Sequence, residues 1–99
     1  MRLPFNYQTT IKELAAQTFG SDVSVYLFGS RLDDTGKGGD IDLLVKLASP
    51  TDDKVMLAIR YNALLQMKLG LQKFDILIID PLTELKPIHQ QVLAQGRPL

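Results

Sequence analysis

The chain has no cysteine, no surplus of charge of either sign and no long apolar run. Without cysteine, neither a disulfide frame nor a thiolate metal site can be built. Lys plus Arg equals Asp plus Glu at eleven each, so the formal net charge is +0. No net positive field therefore gathers nucleic acid by counterion release; local patches leave nucleic acid open but not favoured. The opening MRLPFNYQTT lacks the continuous hydrophobic core of a signal peptide. The expectation is a soluble cytoplasmic protein with no membrane contact. Internal repeats, low-complexity tracts and linkers are absent too.

What is present fits one domain over residues 1–99, since single domains commonly run to about 100–150 residues. A second, substrate-binding domain does not fit. A domain this small buries a modest share of its surface, so a partner chain or a homo-oligomer would add materially to its stability.

Ile11, Leu14, Ala15, Thr18 and Phe19 recur at helical spacing, with Thr10 and Glu13 as a capping box and Gly20 as the stop. VSVYLF (23–28), DIDLLVK (40–46) and FDILII (74–79) are short, β-branched or aromatic, and read as strands buried on both faces. SPTDDK supplies cap residues for a helix over VMLAIRYNALLQMKL, ended by Gly70. On that helix Met56, Ile59, Ala63 and Met67 form one apolar stripe, and Leu57, Tyr61, Leu64 and Leu65 form another. A core-facing helix needs one stripe; the second is either covered by the sheet or a contact surface for another chain. A last short helix has Pro87 in its first turn and Gly96 past its end. The fold class is α+β (α/β mixed), a small mixed β-sheet with helices packed on it.

The stretch LFGSRLDDTGKGGDIDLLV (27–45) carries the chemistry. It fails as a P-loop, because six residues rather than four lie between Gly29 and Gly36 and Lys37 precedes Gly38 rather than Ser or Thr. It fails as a calcium loop as well, lacking the spacing and the terminal Glu. Asp40 and Asp42, two apart in a strand, project from one face and can converge on a hard cation such as magnesium. Asp75 is the charged residue within FDILII; a strand beside the second would bring it to the same cleft. Three carboxylates could then hold two ions, an arrangement suited to in-line phosphoryl displacement. Gly29 lets backbone approach a phosphate, the Ser30 hydroxyl can donate to it, and Arg31 can add a charged fork to a triphosphate. The blander readings are an ion pair of Asp75 with Lys46 or Lys73 or a strand-end cap there, a solvated loop over Asp33, Asp34 and Lys37, a turn at Asp80, and a surface or helix-end position for His89.

A hydrophobic strand, Gly-Ser, nine further residues, then Asp, apolar, Asp, apolar resembles the signature of the DNA polymerase beta superfamily of nucleotidyltransferases. The length and the later KFDILIID resemble the minimal nucleotidyltransferases, often paired with a HEPN-domain protein. The resemblance implies a nucleotidyltransferase-like fold, triphosphate binding at Gly29 and Ser30, two magnesium ions at Asp40 and Asp42, and Asp75 as the third catalytic carboxylate. It further implies transfer of AMP from ATP, or of a nucleoside monophosphate from another NTP, to a hydroxyl with release of pyrophosphate. The implied acceptor is a partner protein such as a HEPN toxin, with this chain as antitoxin. Leu32 and Asp33 stand where many minimal members carry a small and a basic residue. That departure motivates the alternative, a binding module that neutralises its partner by contact around Leu57, Tyr61 and Leu64.

Overall fold

Residues 5–29, 41–70 and 73–99 are described in a computed structural model of the chain. Their order is α1 (Phe5–Phe19), β1 (Ser24–Phe28), β2 (Ile41–Lys46), α2 (Lys54–Leu69), β3 (Phe74–Ile79), α3 (Pro87–Gln95) and β4 (Arg97–Pro98). The strands form one sheet in the order β3-β2-β1-β4. β1 runs antiparallel to both β2 and β4, whereas β2 and β3 are parallel. A parallel pair needs a long crossover, and α2 supplies it. The sheet is therefore mixed, as the sequence predicts.

Side-chain alternation gives the sheet two different faces. Val25, Leu27, Ile41, Leu43, Val45 and Phe74 are buried with Ile11, Leu14 and Ala15 of α1 and Tyr61 and Leu65 of α2. On the opposite face Leu44 and Ile79 are buried with Val92 of α3. Asp42 and Asp75 alternate with the first group and so stand on the α3 side.

Tyr61 ties the two large helices together. It is fully buried, its hydroxyl donates to the Ile11 carbonyl at 2.8 Å, and its ring meets Phe19 edge-on at 5.1 Å. Burial pushes its hydroxyl well above the usual phenol pKa. The stripe of Leu57, Tyr61, Leu64 and Leu65 is thus the core face, with Tyr61 and Leu65 buried and the other two half-buried. The exposed stripe is the other one: Met56, Ile59, Ala63 and Met67 face outward, with Val55 beside them. A contact surface centred on Tyr61 is thereby excluded, since that side chain is buried in the core, while Leu57 and Leu64 beside it are half-buried.

Three local expectations also change. α1 begins at Phe5 rather than near Thr10, and Tyr7 packs against the core, so Thr10 and Glu13 lie inside the helix and cap nothing. β3 is an edge strand with half-exposed central residues; apolar composition alone does not separate an edge strand from a central one. β4 has no strand signature, and its Pro98 is tolerated because the strand lies at an edge. Among the described residues no helix is long and apolar enough to cross a membrane.

Candidate active site

Asp42 and Asp75 are each the second residue of a strand, and the parallel ladder sets them directly side by side. Adjacent strands lie about 4.8 Å apart and in-register side chains leave the same face, so the two carboxylates emerge as neighbours. Both residues are half-buried. Two negative groups held this close repel each other, and a cation between them relieves the repulsion.

Gly29 closes the third side. β1 ends at Phe28, which pairs with Asp42 across the antiparallel ladder. Gly29 follows with φ +78°, and a Cβ built on it would run into Asp42 Oδ2 and stand 2.9 Å from Asp42 Cγ. Glycine is required here twice over, for its left-handed backbone and for the space the carboxylate occupies. The sequence points to a glycine that lets a phosphate approach; its contact with Asp42 is legible in the sheet register alone.

The donors of this pair are oxygens, which suits a hard divalent cation. Among the described residues no group of three or more His, Cys, Asp or Glu side chains is placed to hold a metal ion. Asp40, Ser30 and Arg31 lie outside the described residues, as do Asp33, Asp34 and Lys37. Gly29, Asp42 and Asp75 are therefore the expected site residues that the structure brings together. The bland reading of Asp75 as half of an ion pair with Lys46 or Lys73 is not realised among the described residues, where its carboxylate has no such partner.

An apolar cleft of about 270 Å³ adjoins Gly29, between Phe28 on the sheet and Ile88, Gln91, Val92 and Gln95 of α3. A larger cleft of about 420 Å³, bordered by Thr18, Gly20, Ser49 and Thr51, opens at the opposite end of the sheet, away from the carboxylates.

At that far end Asp80 does more than form a turn. Its carboxylate accepts from Thr51 N at 3.1 Å, Leu82 N at 2.9 Å and Thr83 Oγ1 at 3.0 Å, and pairs with Lys54 Nζ at 3.2 Å. The Thr51 amide chiefly, with Lys54, Thr83 and Leu82, holds its carboxyl down at about 2 against the opposing effect of burial. These bonds fasten the start of α2 to the end of β3. The turn-forming DPLT carries a legible signal for them. His89 lies in the first turn of α3, not its last, and its Nδ1 accepts from Lys86 N at 3.1 Å.

No curated protein matches the chain. The nucleotidyltransferase domain family matches residues 9–95, a span that runs from within α1 to the end of α3 and takes in Gly29, Asp42 and Asp75. With a mixed sheet that sets two aspartates side by side next to a glycine, and a family match over most of its length, the chain belongs to the nucleotidyltransferase domain family.

Proposed function

We propose that the chain is a magnesium-dependent nucleotidyltransferase that moves AMP from ATP to a hydroxyl of a partner protein, a HEPN toxin, and thereby acts as its antitoxin. The observation that supports a transfer site most directly is the in-register pair Asp42–Asp75 with Gly29 against Asp42. The finer terms, AMP as the transferred group and a HEPN protein as acceptor, rest on the resemblance of residues 27–45 to the minimal nucleotidyltransferases.

Asp42 and Asp75, with Asp40, would hold the ions. Bound magnesium supplies charge neutralisation on phosphate oxygens and favours an ionised nucleophile. The chain's own residues do the positioning. Gly29, lacking a side chain, leaves the Asp42 carboxylate its place at the end of β1, and Ser30 and Arg31 would donate to the oxygens of the triphosphate. The acceptor oxygen forms a bond to the α-phosphorus as the bond to pyrophosphate breaks. Asp75, on the edge strand β3, would ligate an ion there and so favour release of the acceptor hydroxyl's proton to solvent. Fixed geometry and fixed charge supply most of the acceleration.

The test is transfer of labelled AMP to the partner in the presence of magnesium and ATP. Asp42→Asn is expected to lower the rate by at least ~100-fold, the scale on which loss of a charge-stabilising group acts. Unaltered transfer would remove the assigned chemistry. A contact-only role is the second reading, motivated by the exposed apolar stripe of Met56, Ile59 and Met67. If Ile59→Asp abolished neutralisation of the partner while Asp42→Asn spared it, contact alone would be the mechanism.

A further inference from the structure

We propose that Lys73 is a nucleotide-binding residue of this site, its ammonium contacting a phosphate oxygen of the bound triphosphate from the β3 side, opposite Gly29. The inference rests on the transferase reading above and adds a residue to it.

Three observations place it. The amide of Ile41, the residue before Asp42, donates to the Lys73 carbonyl at 3.0 Å, which anchors the backbone of residue 73 beside the start of β2. Phe74 is buried against α1 and α2, so Asp75 leaves the opposite face, the one that carries Asp42, and Lys73 is the residue that leads into this strand. Lys73 is itself exposed. The result is a fixed backbone bearing a long, solvent-accessible cation two residues before Asp75, at the end of the sheet where Asp42 lies.

Other described cations are placed differently. Lys46 and Lys54 stand at the far end of β2 and β3, the latter beside Asp80, and Lys86 precedes α3 next to Leu85, which borders the cleft at that same end. Arg97 pairs with Leu27, whose side chain is buried on the α1–α2 side. Lys12, Arg60 and Lys68 are exposed on the helices that cover that same side. A chain of formal net charge +0 has no general field to offset a triphosphate next to two carboxylates, so a lysine at the site adds to the neutralisation that magnesium and Arg31 would supply there. An ammonium is suited to this, since a point charge on a flexible stem can reach a phosphate oxygen without a fixed orientation.

The test is calorimetric titration of the full chain, in magnesium, with each of the four nucleoside triphosphates. For the nucleotide that the wild type binds, Lys73→Gln is expected to raise Kd about tenfold, the scale of one charge-assisted hydrogen bond, and Lys73→Arg to restore most of the affinity. Lys12→Gln, which removes the same charge from the other side of the molecule, is expected to leave Kd unchanged. Tm is measured alongside for each variant, so that a loss of fold is separated from a loss of binding. Unchanged Kd in Lys73→Gln, or equal weakening in Lys12→Gln, would overturn the assignment while leaving the transferase reading standing. Failure of the wild type to bind any of the four would overturn both.

Discussion

At the scale of single residues, the site depends on a missing side chain. Gly29→Ala combines a left-handed backbone, costing a non-glycine residue about 1–2 kcal/mol, with a methyl group where the Asp42 carboxylate lies. The carboxylate is the part able to swing away. We therefore expect a modest fall in stability by urea denaturation and a much larger fall in nucleotide transfer. Asp80 makes the opposite kind of prediction, one about pH alone. Its pKa is lowered from 3.8 to about 2, so the stability it contributes is present above the unfolded value and is lost as pH falls from about 4 towards 2. Denaturation curves across that range should show a steeper acid loss for the wild type than for Asp80→Asn, which retains no titrating group there.

At the scale of elements, the helix α2 shows what sequence pattern leaves open. Its two apolar stripes have similar composition, and hydrophobic periodicity cannot say which one meets the sheet. Tyr61 decides it, because its hydroxyl finds the Ile11 carbonyl only when α1 and α2 pack through that face. Leu65→Ala should accordingly cost about 2–5 kcal/mol, whereas Ile59→Asp should stay within about 0.5 kcal/mol, both read from chemical denaturation. Tyr61→Phe should lose about 1 kcal/mol, or roughly 4–8 °C in Tm for a domain of this size. The strands were more legible than their places in the sheet. FDILII announces a strand by its composition, and β3 spans those same residues, Phe74–Ile79; that it is an edge follows from partners far along the chain. β4 was illegible, since two residues ending in proline carry no periodicity.

At the scale of the whole molecule, the glycine and the two carboxylates come from β1, β2 and β3, and the register that unites them is fixed by the core on the far side of the sheet. The motif in residues 27–45 carries Gly29 and Asp42 together, whereas Asp75 is marked by one acidic residue in an apolar strand. Its placement beside Asp42 depends on the parallel pairing that α2 makes possible. A one-residue slip of β3 would turn Asp75 towards α1 and α2 and Phe74 towards the site, and burial of Phe74 in the core resists that slip.

The pair Asp42–Asp75 straddles a boundary of a different kind, between a strand hydrogen-bonded on both sides and one held on a single side. Outer strands open more readily than inner ones, so β3 amides should exchange with deuterium faster than those of β2. Transient peeling of that outer strand would carry one carboxylate out of range while the rest of the sheet stayed intact. On the proposed transfer reading, catalytic output would then report on how firmly the margin of the sheet is fastened.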